Sequence, residues 1–133
     1  MEIDRMAMKE VSTANAPASI GPFSQGVIDD GTVYVSGQGP IDPETDEIVG
    51  ESIEAQTRRT MENIDAVLTA ANSSLDDIVK STVFVRDMDD YEAINEVYET
   101  YLSDPYPARS AVEVAALPVD IGVEIEVVAR VSR

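Results

Sequence analysis

The chain has 133 residues, 26 of them Asp or Glu against 9 Lys or Arg, and so carries a formal charge of −17. A surface of that sign repels polyanions, which counts against DNA or RNA as a partner. Neither cysteine nor histidine occurs, which excludes disulfides, thiol catalysis, thiolate zinc sites and the commonest general base.

Residues 1–10 read as an extended lead-in to one domain, 1–133. No apolar stretch follows Met1-Glu2-Ile3-Asp4-Arg5 as a signal peptide requires. Gly21-Pro22 and Gly26 punctuate the next stretch. Asp29-Asp30-Gly31 reads as a hairpin turn between strands at 24–28 and 32–36, the second built on Val33-Tyr34-Val35. Gly37, Gly39, Pro40 and Pro43 then break the strand into a loop. From 52 to 72, Thr57, Met61, Ile64, Val67, Leu68 and Ala71 recur at three- and four-residue spacing. That pattern predicts a helix with Ser52 as its N-cap. A β-rich run at 78–85 follows. A second helix is expected from about Asp89, where Asp89 and Glu92 have capping-box spacing, with Tyr91, Ile94, Val97, Tyr98 and Tyr101 as its apolar stripe. Pro105 and Pro107 end it. Two alternating strands, 111–117 and 123–131, close the chain around the connector Pro118-Val119-Asp120.

The order β-β-β-α-β-α-β-β, with only two helices, predicts an α+β sheet covered by helices on one face. The other face is half polar, a candidate surface for oligomer contact. The acids are spread along the whole chain, which reads as a solvated surface rather than a steering patch. No apolar run is long enough to cross a membrane. The expectation is a cytoplasmic protein with no membrane partner.

Three groups of residues can carry chemistry. Tyr106-Pro107-Ala108-Arg109-Ser110 sets one arginine between a proline-rich turn and a strand. Arg109 reads either as a bidentate clamp for a carboxylate or as a structural ion pair with one of the many acids. Glu124 and Glu126 lie two apart on a strand and share a face. They read either as an acid/base pair with split titrations or as a solvent-facing strand in an acidic protein. Ser36-Gly37-Gln38-Gly39-Pro40 looks like a phosphate loop, but it lacks the third Rossmann glycine, the Gly-Lys-Ser/Thr of a P-loop and a helix after it. Nucleotide binding is rejected there, leaving a loop whose glycines let backbone approach a small ligand. The acidic loops 29–30 and 42–46 lack calcium-loop spacing, so no metal is expected.

Several strings together resemble the Rid/YjgF family, its RidA branch most closely. They are Asn15-Ala16-Pro17, Ile20-Gly21-Pro22-Phe23-Ser24-Gln25-Gly26, Val35-Ser36-Gly37-Gln38, Asn63-Ile64, Ile78-Val79-Lys80-Ser81-Thr82-Val83-Phe84-Val85, Pro107-Ala108-Arg109-Ser110-Ala111-Val112 and Val123-Glu124-Ile125-Glu126. The resemblance implies a chorismate-mutase-like α+β fold and a homotrimer with a barrel-like centre. It implies three sites in clefts between subunits. The implied reaction is hydrolysis of 2-imino acids and their enamine tautomers, such as 2-iminobutanoate and 2-iminopropanoate, to 2-keto acids and ammonia, with no metal or organic cofactor.

On this likeness Arg109 binds the substrate carboxylate and Glu124 activates water and shuttles a proton. Backbone at Ser36, Gly37 and Ala111 contacts the ligand, Ser36 and Asn95 match cleft positions, and Phe23 walls the pocket. Two positions depart from the family pattern. Phe23 stands where a tyrosine is common, which removes a hydroxyl, and Ala111 stands where a cysteine is common, which removes a thiol. Two other activities stay open: a non-catalytic, trimeric ligand-binding or chaperone-like protein, and an endoribonuclease or translation inhibitor. The net charge and the lack of histidine count against the latter.

Overall fold

The computed structural model describes residues 8–132, so the first seven residues of the expected lead-in lie outside it. Six strands and two longer helices follow in chain order: β1 (Lys9–Val11), β2 (Gly26–Asp29), β3 (Thr32–Gln38), α1 (Ile53–Ala70), β4 (Ile78–Val85), α2 (Tyr91–Thr100), β5 (Ala108–Glu113) and β6 (Val123–Arg130). The expected β-β-β-α-β-α-β-β order is therefore observed. The strands form one mixed sheet in the order β1-β2-β3-β6-β4-β5. Every neighbouring pair is antiparallel except β4 and β5. That pair is joined through α2, as a parallel pair needs a crossover.

Local chemistry explains the elements. At the β2–β3 turn Asp30 and Gly31 both take positive φ, 51° and 79°, as a tight hairpin between twisted strands requires. The Ser52 side chain accepts from the Ala55 amide at 3.0 Å and caps α1, as its position predicts. The helix ends where Asn72 turns left-handed at φ 57°. The amides of Asn72 and Ser73 return to the carbonyls of Thr69 and Leu68, which is the Schellman arrangement.

Both helices cover one face of the sheet. Met61, Ile64, Val67 and Leu68 of α1 and Ile94 and Tyr98 of α2 pack in one core with Val33, Val83, Val85, Val123 and Ile125. The alternation along β6 is clean, with Val123, Ile125, Val127 and Ala129 buried and Glu124, Glu126 and Val128 on the other side. Neither helix covers that second face, and Tyr34, Val79 and Val112 stay 43%, 48% and 42% exposed.

Three expectations about boundaries need correction. Lys9 and Glu10 are not lead-in but part of β1, which pairs with β2 from Lys9↔Ile28 to Val11↔Gly26. The strand expected at 111–117 starts at Ala108 and ends at Glu113, because its partner sets its length. Pairing to β4 begins at Lys80↔Ala108, and β4 stops at Val85. The second helix is entered through a tight turn, Met88–Asp90. Asp87, not the expected Asp89 box, caps that turn by accepting from the Asp89 amide at 2.9 Å. Among the described residues no helix is long and apolar enough to cross a membrane.

Candidate functional site

The expected site residues fall into two groups, one on each side of the sheet. The first surrounds a cavity of about 480 Å³ on the uncovered face, lined by Phe23, Ser36, Gly37, Glu124 and Glu126 among others. A bulge builds this corner. Val35 pairs with Val127 and Gln38 with Ile125, so β3 spends one extra residue over Ser36 and Gly37. Glu124 reaches the space above Gly37, and a β-carbon at residue 37 would collide with its carboxylate. Glycine is needed there for room, not for an unusual φ. Burial holds the Glu124 carboxyl above the ordinary glutamate value, and the neighbouring Glu126 charge adds to the shift.

The outer wall of this cavity is the segment from Pro17 to Phe23. Gln25, which is buried, fastens the chain just before it. Its Nε2 donates to the carbonyls of Thr13, Ala16 and Pro17 at 3.0, 3.2 and 2.8 Å. Its Oε1 accepts from the Thr13 amide at 2.7 Å. The Ser36 hydroxyl donates to the Ser24 carbonyl at 2.6 Å, so its proton is already committed.

The second group lies at the β5 edge, on the helix side. Arg109 opens on a cavity of about 260 Å³ with Asn95, Tyr98, Glu99, Tyr106 and Pro107. The guanidinium carbon sits 4.9 Å from the Tyr98 ring centre and 5.5 Å from that of Tyr91. Its Nη2 donates to the Tyr91 hydroxyl at 2.8 Å. Among the described residues the ion pairs are Arg59 with Glu62 and Arg130 with Asp77. Arg109 is in neither, so the structural ion-pair reading of this residue does not describe it. Asn95 Oδ1 is buried in the same neighbourhood with no hydrogen-bond partner among the described residues.

The chain thus brings Phe23, Ser36, Gly37 and Glu124 together and sets Arg109 and Asn95 elsewhere. Ala111 lines neither cavity; it pairs with Val83 and packs against the core. Five participants escape a reading of residues alone. Tyr91 and Tyr98 look like packing, yet both face Arg109; their seven-residue spacing on one helix side is the signal. Gln25 sits inside a glycine-rich string and gives no sign of clamping a wall. Pro118 and Val119, read as a connector, also line the larger cavity. Among the described residues no cluster of acids has the geometry to hold a metal ion.

Comparison with known proteins agrees with this architecture. Residues 13–131 match the model of the family described as Endoribonuclease L-PSP. A RutC family protein of Saccharolobus solfataricus is 52% identical over 126 residues, 94% of this chain and 100% of the relative. A 2-iminobutanoate/2-iminopropanoate deaminase of Salmonella typhimurium is 47% identical over 124 residues, 91% of this chain and 96% of the relative. The crystal structure of Escherichia coli TdcF with bound serine superposes with a TM-score of 0.88 at 43% identity, covering 93% of this chain and 98% of that one. The chain belongs to the Endoribonuclease L-PSP family, the group that its sequence resembles under the name Rid/YjgF.

Proposed function

We propose that this protein hydrolyses small 2-imino acids, such as 2-iminobutanoate and 2-iminopropanoate, to 2-keto acids and ammonia, at sites shared between copies of the chain. One observation carries the reading. Among the described residues the guanidinium of Arg109 has no carboxylate partner; it opens on one cavity, while the Glu124 carboxyl, hard to ionise, faces another across the sheet. Each is half of what the reaction needs. A second copy that lays its larger cavity against the β5 edge completes the site, and a homotrimer closes such contacts by cyclic symmetry.

The chemistry follows from these groups. Arg109 holds the substrate carboxylate and so fixes the C=N carbon. Glu124 as carboxylate takes a proton from water as the oxygen attacks that carbon. As carboxylic acid it gives that proton to the imine nitrogen, forming the carbinolamine; it then takes the carbinol O–H proton and passes it to the amine nitrogen, so that C=O forms as the C–N bond breaks and ammonia leaves. A carboxyl with a raised pKa suits both halves of that cycle. Asn95 Oδ1, buried and unpartnered, is an acceptor for a ligand N–H. Phe23 and the backbone at Ser36 and Gly37 shape the wall opposite. Hydrolysis of a C=N bond changes no oxidation state, and the reading uses no metal or organic cofactor. The relative named as a deaminase at 47% identity and the neighbour with bound serine support a small amino-acid-like ligand. RNA is disfavoured by the charge of −17. The proposed place of action is the cytoplasm, on imines released by other enzymes.

The test is loss of imine generated by a threonine dehydratase, followed by semicarbazide trapping. The protein is expected to accelerate keto-acid formation, and Arg109→Ala to abolish the effect with its oligomeric state kept. No acceleration over buffer at low or high salt would leave only ligand binding. RNA cleavage surviving Arg109→Ala would move the protein to the nuclease reading.

A further inference from the structure

We propose that Tyr91 is a positioning residue for Arg109, a neutral tether that aims the guanidinium without consuming its charge; this rests on reading Arg109 as the carboxylate anchor. The tether stands behind the arginine. The Tyr91 hydroxyl accepts from Arg109 Nη2 at 2.8 Å, yet Tyr91 is not among the residues lining the cavity on which Arg109 opens. It therefore acts on a ligand through Arg109.

A second tyrosine packs against the guanidinium. The Tyr98 ring lies 4.9 Å from the guanidinium carbon. Its own hydroxyl is locked at 2.6 Å to the Ser81 hydroxyl in the core. Contact with a ring face carries no directional bond, and the Tyr91 hydrogen bond supplies one. Donor counting supports the arrangement. A guanidinium has five N–H groups, and Tyr91 takes one, which leaves enough for a bidentate carboxylate on the cavity side.

The choice of a phenol matters in this chain. The helix that carries Tyr91 also carries Glu92, Glu96 and Glu99, and acids outnumber bases 26 to 9 overall. A carboxylate in the tethering position would order Arg109 equally well but would compete with an anionic ligand for its charge. A phenol orders the side chain and leaves the full positive charge facing the cavity. The chain lacks a hydroxyl at Phe23 on the opposite wall, so Tyr91 is where polar control of the carboxylate end is placed.

The experiment uses Tyr91→Phe, which keeps the ring over Arg109 and removes only the tether. Affinity for 2-ketobutyrate is read by calorimetry, deamination by steady-state kinetics, and ordering of Arg109 by NMR of its guanidinium N–H groups without ligand. The expected result is affinity weakened about fivefold and KM raised by the same factor with little change in kcat, as loss of ground-state anchoring gives. Rotation of the Arg109 guanidinium becomes faster than in the parent. Unchanged affinity together with unchanged Arg109 rotation overturns the proposal. If the parent binds 2-ketobutyrate through Arg109 but deaminates nothing, the catalytic reading fails alone, and the affinity ratio still decides the role of Tyr91. If the parent binds no 2-ketobutyrate, Arg109 is not an anion anchor and the proposal falls with it.

Discussion

At the residue scale the two central groups are opposite cases of one problem, how to hold charge where little else solvates it. Arg109 is held by two tyrosine rings and the hydroxyl of one of them. Glu124 is held above Gly37, beside a second carboxylate, and its pKa rises. The sign of that shift makes a stability prediction. The folded protein binds the Glu124 proton more tightly than the unfolded chain, so this residue costs stability as pH rises from the ordinary value of 4.5 through its folded pKa. Glu124→Gln removes the cost. Thermal melts are expected to show the variant more stable than the parent at pH 7, with the difference vanishing below pH 4.5. The same variant is expected to lose about a hundredfold or more in activity, the usual worth of a general acid/base. An activity loss with lower stability at pH 7 would mean that Glu124 is a structural ion, not a strained functional one.

At the element scale the loop after β3 is held by the longest helix. Asn63 is fully buried on α1. Its Nδ2 donates to the carbonyls of Gly39 and Ile41 at 3.0 and 2.9 Å, and its Oδ1 accepts from Arg59 Nε and Nη2 at 3.2 and 3.0 Å. Gly39 and Ile41 line the larger cavity, so one amide ties a core helix to the site wall. Asn63→Ala leaves the Ile41 carbonyl without its donor, while the Gly39 carbonyl keeps the Ile41 amide at 2.9 Å, and is expected to cost about 2 kcal/mol in urea unfolding. Here the limits of sequence are plain. α1 and its Ser52 cap are legible because their signals lie within a few residues of each other. β5 is misplaced because its length is set by β4, and the three-residue β1 is missed because so short a run has no periodicity. Arg109 and Glu124 are legible only through the resemblance, since residue type alone leaves each with an ordinary surface reading. The Tyr91 tether spans 18 positions and the Asn63 bonds span 22 and 24, distances over which only the fold makes neighbours.

At the scale of the whole molecule the uncovered sheet face and the divided site point the same way. Tyr34, Val79 and Val112 are exposed on a sheet whose other face packs under both helices, and neither cavity alone holds both Arg109 and the Glu124 carboxyl. A charge of −17 on each copy opposes assembly at low ionic strength. Light scattering is therefore expected to find a trimer whose share grows with salt, and a monomer at every salt concentration would contradict the shared site.

The most direct measurement is complementation between two inactive variants. Arg109→Ala and Glu124→Gln chains, each silent alone, are co-expressed in equal amounts and purified together without separating the oligomers. If every site takes its arginine from one copy and its glutamate from the next, random mixing in a cyclic trimer restores about a quarter of the parent's activity. Activity that stays at the background of the single variants would show that Arg109 and Glu124 do not meet across a subunit boundary.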